Sequence, residues 1–262
     1  MTIKEQYLSA YDDQLRTDSE TPSASNVMIE GPLRLVTFAG GRGFVTYQDL
    51  ADADAPAISA LVTKALQYFE ADPVINRVEW KSRGHDKAPG LHEALLARGF
   101  VAENPESIMI GPLAALAADA ALPSGVTLRK ITSDADVRAM SAMADEAFGE
   151  SVDTRAADSL LSRLGRKDGM ELWVAEAEGR MVSAGRLEPV TGTDFVGIWG
   201  GATLEPYRRR GIYRALTTAR VRSALAMGKK FVHSDSTEYS RPILERSGLV
   251  KVSTTTPYNW KR

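Results

Sequence analysis

The sequence contains no cysteine and only three histidines among its 262 residues. Without cysteine, the chain has no disulfides, thiolate nucleophiles or cysteine metal sites. His85, His92 and His233 do not show metal-ligand spacing, so we expect no metal. No apolar run approaches the length of a membrane span, and the N-terminal residues lack the apolar core of a signal peptide. We therefore expect a soluble, cytoplasmic protein.

Charge and length also limit the choice of function. The formal net charge of −2 gives no overall argument for binding nucleic acid or a membrane. The hydrophobic content of 44% is ordinary for a globular protein. A chain of 262 residues is long enough for one large domain or two small ones.

The most informative stretch runs from Val196 to Met227. Its apolar beginning, with Gly200 and Gly201, predicts a strand whose backbone lies close to another group. A basic turn follows, and apolar residues then recur at helical spacing from Gly211 onward. The unpaired N–H groups of a helix start, three arginines and a glycine together predict a phosphate or pyrophosphate site.

This stretch resembles the GNAT superfamily of acyl-CoA-dependent N-acetyltransferases. The family signature is Arg or Gln, two residues, Gly, one residue, then Gly or Ala, which corresponds here to Arg208–Tyr213. Tyr213 stands where a small residue is usual. The resemblance implies acetyl-CoA as co-substrate. The residues it places at acetyl-CoA are Ala202, Thr203, Leu204, Arg208, Arg209, Arg210, Gly211, Ile212, Tyr213 and Arg214.

The predicted fold class is α/β (α+β), with two GNAT-like units. Each is expected to have a mixed, mostly antiparallel sheet flanked by helices. We predict a degenerate GNAT-like domain at 1–112, a linker at 113–124 and an acetyl-CoA-binding GNAT domain at 125–262. In the second half, Ser133 is expected to cap a helix over Asp134–Phe148.

The two halves differ where the phosphate site is expected. The first half has Asp49, Asp52 and Asp54 in the region where the second has three arginines. Acidic side chains suit a helix start but repel pyrophosphate. We therefore expect only the second half to bind CoA.

The family chemistry implies an amine that loses its proton, an N–H donor for the oxyanion and an acid for the leaving thiolate. The resemblance implies that the oxyanion donor is the backbone N–H of Ala202, Thr203 or Leu204. The family's usual acid, a tyrosine, is replaced by Leu244. Tyr239, Ser240 and Ser236 lie nearby in the sequence, and each could replace the tyrosine as the acid. The predicted catalytic residues are Ser240 as acid, and Glu188, His233 and Asp235 as candidates for the base.

The leading functional hypothesis is an N-acetyltransferase for an amine of a small molecule or peptide. The alternatives are a mycothiol-synthase-like tandem transferase and a non-catalytic acyl-CoA-binding module. A nucleic-acid patch at Arg208–Arg222 is disfavoured because the turn has a better explanation as a phosphate site. We expect neither nucleic acid nor a membrane as partner, and a monomer or homodimer.

Overall fold

A computed structural model of the protein describes residues 1–118 and 120–262. The chain divides into two compact units. The first comprises residues 1–109, 235–243 and 250–262, and the second comprises 110–234 and 244–249.

The helices and strands alternate along most of the chain. The helices are α1 (Ile3–Leu15), α2 (Ala55–Glu70), α3 (Leu91–Ala97), α4 (Leu113–Leu116), α5 (Asp134–Phe148), α6 (Thr154–Leu164), α7 (Ile212–Ala226) and α8 (Arg241–Arg246). The strands are β1 (Asn26–Glu30), β2 (Leu33–Phe38), β3 (Arg42–Thr46), β4 (Arg77–Arg83), β5 (Val101–Ala102), β6 (Glu106–Pro112), β7 (Val126–Ile131), β8 (Glu171–Ala177), β9 (Arg180–Pro189), β10 (Phe195–Thr203), β11 (Phe231–Ser236) and β12 (Val250–Lys261). Short 3₁₀ turns lie at Asp18–Glu20 and Glu205–Tyr207.

The first unit has a mixed sheet. Strands β1, β2 and β3 pair antiparallel, β3 pairs parallel with β4, and β4 pairs antiparallel with β12. Helix α2 connects the two parallel strands, as a crossover requires. The core contains large buried side chains that include Tyr47, Phe69 and Trp80.

The second unit repeats this arrangement of antiparallel strands followed by one parallel pair. Strands β7, β8, β9 and β10 pair antiparallel, and β10 pairs parallel with β11 through the crossover helix α7. Ser133 accepts a hydrogen bond from the Asp136 N–H at the start of α5, which confirms the predicted cap and helix. The predicted fold class, mixed and mostly antiparallel sheets flanked by helices, is also confirmed.

The predicted domain limits 1–112, 113–124 and 125–262 stay a prediction, and the compact units divide the chain differently. Residues 235–243 and 250–262, predicted in the second domain, pack with the first unit. The last strand, β12, pairs with β4 from Thr255↔Arg83 to Lys261↔Arg77. A local sequence pattern does not encode such a distant strand partner. Asp119, in the predicted linker, lies outside the described residues.

A membrane-spanning helix would need greater length and apolarity than any helix formed by residues 1–118 and 120–262 has.

Candidate active site

Strand β10 separates from β11 partway along its length. The two strands pair from Phe195↔Phe231 to Gly197↔His233, and within the described second unit the pairing ends there. On its other edge, β10 continues to pair with β9 as far as Thr203. A register shift between Trp199 and Ala202 marks a bulge at the two intervening glycines. Beyond Gly197, this edge of β10 pairs with no other strand in the described part of the chain, and we call it the open edge.

Backbone direction selects among the three predicted oxyanion donors. The Leu204 N–H donates to the Val182 carbonyl oxygen on β9 at 3.0 Å, so it is already used. Since successive N–H groups of a strand point to opposite edges, the Thr203 N–H faces away from β9. Ala202 is in register with Ala184 on β9. Its N–H, two positions before that of Leu204, therefore also points towards β9. Thr203 is therefore the donor that the geometry favours.

Helix α7 begins beyond the end of this strand with unsatisfied donors. Gly211 precedes the helix in the left-handed conformation, with φ of +82°, and no side chain caps the helix. The first intrahelical bond runs from the Ala215 N–H to the Gly211 carbonyl oxygen at 3.0 Å. The N–H groups of Ile212, Tyr213 and Arg214 therefore have no partner within the helix, and they carry its positive partial charge.

The three arginines of the turn differ in their contacts. Arg208 donates from Nε to the Thr203 carbonyl oxygen at 2.9 Å and from Nη2 to the Ala147 carbonyl oxygen at 2.7 Å. It thus fixes the end of β10. Arg209 is exposed with φ of +62°, and the exposed Arg210 stacks over the Tyr207 ring at 5.3 Å. Arg209 and Arg210 are thus exposed without the backbone contacts that Arg208 makes, and the role of all three as acetyl-CoA ligands stays a prediction.

Tyr213, the residue that departs from the family signature, packs against Gly201. A Cβ atom added to Gly201 would lie 2.6 Å from Tyr213 Oη and 2.7 Å from its Cε2 atom. The ring therefore lies against a backbone position that has no side chain. The large residue at 213 and the glycine at 201 are complementary in size.

Two of the predicted catalytic residues lie in one row across neighbouring strands of the second unit. Gly197 on β10 is in register with Glu188 on β9 and with His233 on β11. Residues in register share one face of a sheet, and so does Trp199, two positions further along β10. A Cβ at Gly197 would collide with the Trp199 indole, whose ring meets that of His233 edge-on at 5.3 Å.

Glu188, one candidate for the base, contacts two arginines. Its carboxylate accepts a hydrogen bond from Arg163 Nη1 at 3.2 Å and lies 3.5 Å from Arg186 Nε. The carboxylate is therefore already engaged in an ion-pair cluster. The His233 ring contacts Trp199, and the roles of Glu188 and His233 as bases stay predictions.

The other two predicted catalytic residues belong to the first unit. The Asp235 carboxylate accepts a hydrogen bond from Lys81 Nζ at 2.9 Å. Ser240 lies in a turn, with its Oγ 3.0 Å from Ser236 Oγ and 3.3 Å from the Thr237 carbonyl oxygen. The roles of Asp235 and Ser240 in catalysis stay predictions. Leu244 is buried, as a packing residue would be.

The corresponding opening in the first unit is filled by its own side chains. Strands β3 and β4 pair only as far as Val45↔Trp80. Beyond that point, Arg16 donates from Nε and Nη2 to the Tyr47 carbonyl oxygen at 3.2 and 2.9 Å. Glu20 pairs with Arg83 and accepts a hydrogen bond from Thr46 Oγ1. Arg16 also pairs with Asp86 at 2.8 Å, and Arg83 Nη1 donates to the Lys81 carbonyl oxygen at 3.0 Å. We call Arg16, Glu20, Thr46, Lys81, Arg83 and Asp86 the N-terminal ionic cluster.

The helix start of the first unit is also already satisfied. Asp54 caps α2 by accepting a hydrogen bond from the Ala57 N–H at 3.0 Å. Asp49 accepts one from the Ala51 N–H at 2.8 Å. A carboxylate thus occupies the position that, at α7, is left to an uncapped glycine.

The N-terminal ionic cluster should make the free energy of unfolding depend on pH in the acidic range. Burial alone would raise the pKa of Glu20, but the charges of Arg83 and Lys81 and hydrogen bonds from Thr46 and Arg83 outweigh it and lower that pKa. A lowered folded-state pKa stabilises the protein above the unfolded-state value, near 4.3. This stabilisation is lost as the pH falls from that value through the lower folded-state pKa.

We therefore expect the urea midpoint to fall as the pH is lowered from about 5 to about 3. Glu20→Gln should show a shallower fall over the same range because its side chain does not titrate. Urea titrations of both proteins across this range measure the difference. Equal pH dependence in the two proteins would contradict the assignment to Glu20.

Comparison with known proteins places the second unit in a family. Residues 137–248 match the family model described as "Acetyltransferase (GNAT) family". The chain contains a GNAT domain. The match covers α7, its preceding turn and β8 to β11, which form the open strand edge and the uncapped helix start. No curated protein shows significant sequence similarity to the chain.

Solved structures resemble this GNAT domain together with the first unit. A GCN5-related N-acetyltransferase from Kribbella flavida has 16% identity and a TM-score of 0.69, covering 99% of this chain and 96% of that one. A functionally unknown protein from Staphylococcus epidermidis has 12% identity and a TM-score of 0.66, covering 91% and 94%. A tandem GNAT protein from the clavulanic acid biosynthesis pathway has 13% identity and a TM-score of 0.60, covering 87% and 78%. These identities show a shared fold.

Three features of the GNAT domain escaped the sequence analysis. One is the clamp of Arg208 on two carbonyl oxygens, which no local pattern indicates. Another is the ion pairing of Glu188. The third is Arg220, which is fully buried and stacks over the Tyr213 ring at 5.7 Å. The spacing of Tyr213 and Arg220 on one helix face was a signal that could have found this last contact.

Proposed function

We propose that the GNAT domain transfers an acetyl group from acetyl-CoA to an amine of a small molecule or peptide. The observation that carries this proposal is the open edge of β10 leading to the uncapped start of α7. A thioester carbonyl needs an N–H donor when its oxygen becomes negative, and the Thr203 N–H supplies one. A pyrophosphate needs donors and positive charge, and the α7 start supplies both.

The residues present fit acetyl-CoA. A Cβ on Gly211 would meet no atom within 4 Å, so the backbone there is open to close approach. Arg209 and Arg210 add full positive charges beside the N–H groups of α7. When bound, acetyl-CoA supplies the activated acetyl group. The chain then positions that group through Thr203 and the helix start.

The acceptor amine must be neutral to attack. We assign His233 as the group that takes its proton, directly or through water, because an imidazole ordinarily titrates near neutral pH. Trp199, in edge-on contact with His233, forms one wall of the acceptor position. Most of the rate enhancement in this scheme comes from holding the two reactants in place.

We further propose that the first unit does not bind acetyl-CoA. The N-terminal ionic cluster occupies its strand opening, and Asp54 caps its helix start. Its function in this proposal is structural. The tandem arrangement is then a GNAT domain joined to a degenerate copy, which keeps a mycothiol-synthase-like transferase as an alternative.

A non-catalytic acyl-CoA-binding module is the second candidate. The observation that favours it is Leu244, a buried aliphatic residue where the family resemblance predicts a tyrosine acid. Release of thiol from acetyl-CoA, measured with purified protein and a panel of small amines and peptides, separates the candidates. Amine-dependent release supports the transferase. Binding of acetyl-CoA without release for any amine supports the module.

Gly211→Asp should weaken acetyl-CoA binding at least tenfold, because it places a carboxylate where the phosphates meet the helix start. At contact range such a charge is worth roughly 1–4 kcal/mol between bulk water and a partly shielded surface. Isothermal titration calorimetry measures the change.

Gly228→Asp is the matched control, since Gly228 follows the other end of α7, has φ of +77° and is equally open. It should bind acetyl-CoA as the wild type does. Equal loss in both variants, or no loss at Gly211, would place the phosphates elsewhere.

A further inference from the structure

The Tyr213 hydroxyl lies at the bulge of β10. The atom that a Cβ on Gly201 would contact first is Tyr213 Oη, at 2.6 Å, followed by ring atoms at 2.7 and 2.9 Å. Gly201 itself is exposed. The phenol end of the side chain therefore covers an accessible stretch of backbone on the strand that also presents the Thr203 N–H.

A buried arginine holds the tyrosine ring in this position. The Arg220 guanidinium lies 5.7 Å from the ring centroid and is fully buried. It donates to the Arg186 carbonyl oxygen at 3.0 Å and to Thr217 Oγ1 at 2.9 Å. Thr217 Oγ1 in turn donates to the Tyr213 carbonyl oxygen at 2.9 Å. The ring therefore lies between the Arg220 guanidinium and the backbone at Gly201.

The hydroxyl has no hydrogen-bond partner within residues 1–118 and 120–262. A phenylalanine would fill the same space over Gly201 and stack equally under Arg220. Packing therefore accounts for the ring but not for the oxygen. An oriented donor without a protein partner, beside an open strand edge, is suited to a bound molecule.

The proposed reaction requires a proton at this edge. When the amine attacks the thioester, the C–N bond forms, the carbonyl oxygen takes the negative charge, and the C–S bond then breaks. The sulfur leaves as an alkyl thiolate, and a positioned proton donor assists its departure. Gly201 and Thr203 are two positions apart on one strand, or about 7 Å. A thioester bound at the Thr203 N–H would meet the Tyr213 hydroxyl if its sulfur extends along β10 towards Gly201.

We propose that Tyr213 is the proton donor to the leaving thiolate, and this rests on the proposed acetyl transfer. The Oη–H bond breaks and the S–H bond forms. His233 takes the first proton, which leaves the amine before it attacks; the nitrogen, positively charged once the C–N bond has formed, then returns its second proton to the phenolate by way of water. Tyr213 thus supplies the acid that Leu244 cannot. The residue that departs from the family signature becomes part of the site.

The test compares two acetyl donors in wild type and Tyr213→Phe, with the amine found by the panel or with hydroxylamine. Acetyl-CoA releases an alkyl thiolate that needs a proton. S-(4-nitrophenyl) thioacetate releases a stabilised aryl thiolate that does not. We expect kcat with acetyl-CoA to fall by about a hundredfold in Tyr213→Phe, the lower range for general acid catalysis. We expect less than a twofold change with the aryl donor.

Two controls separate this role from a structural one. Acetyl-CoA binding by calorimetry should be unchanged in Tyr213→Phe, since the ring remains. Tyr68→Phe removes the hydroxyl of an α2 residue of the first unit, to which no part in the reaction is assigned, and should keep full activity. Equal losses with both donors, or no loss with acetyl-CoA, would overturn the inference alone. Absence of transfer by the wild type with every amine would overturn the proposed function and this inference with it.

Discussion

Replacing Arg209 and Arg210 together by glutamate is expected to abolish measurable acetyl-CoA binding. Both side chains are exposed beside the uncapped N–H groups of α7. Each change turns an attraction for phosphate into a repulsion, and each unit-charge contact is worth roughly 1–4 kcal/mol between bulk water and a partly shielded surface. Two reversals exceed the helix dipole, worth about 0.3–1 kcal/mol at an exposed site. A loss of a hundredfold or more in affinity follows.

The matched control makes an equal change in net charge at two other positions of the second unit. Arg138 and Arg155 are exposed arginines on α5 and α6, each paired with nearby aspartates. Their double change to glutamate should leave the dissociation constant within a few-fold of the wild-type value, because screening weakens distant surface charges. If both double variants lose binding equally, net charge rather than the α7 turn controls affinity.

Glu20→Gln is expected to destabilise the protein by about 3 kcal/mol or more. The Arg83 side chain is fully buried and the Glu20 side chain is 13% exposed. Removing one charge leaves a buried guanidinium whose main counter-charge is gone, and breaking such pairs typically costs 3–5 kcal/mol. The glutamine keeps the shape and an acceptor for Thr46, so packing is preserved. Urea denaturation at neutral pH measures the free energy of unfolding.

A neighbouring residue provides the control for this prediction. Asp18 lies in the same 3₁₀ turn and pairs with Arg34, but its side chain is 90% exposed. Asp18→Asn should cost less than about 1 kcal/mol, as exposed ion pairs do. A similar small effect for both variants would show that the N-terminal ionic cluster contributes little to stability.

Local chemistry predicted the elements that form the candidate site. The Ser133 cap and the helix over Asp134–Phe148 follow from capping and acidic residues in the first turn. The strand, turn and helix around Gly211 follow from hydrophobic spacing and glycine. These are short-range signals, and the structure has them where the sequence placed them.

Long-range partners account for the differences. Asp235 pairs with Lys81 on β4, and β12 joins the same sheet, although both lie more than a hundred positions away along the chain. The charge pattern suggested three equivalent arginines, but Arg208 binds backbone carbonyl oxygens. A sequence shows which groups can form hydrogen bonds and ion pairs. Tertiary packing decides which of several possible partners each group meets.

The direct measurement of the central claim is a calorimetric titration of the full chain with acetyl-CoA that counts sites per chain. We expect one site, with a dissociation constant in the micromolar range, lost in the Arg209→Glu, Arg210→Glu double variant. It should be unaffected by changing Asp49 and Asp52 to alanine. No binding, two sites per chain, or a site that survives the arginine changes and is lost with the aspartate changes would contradict the account.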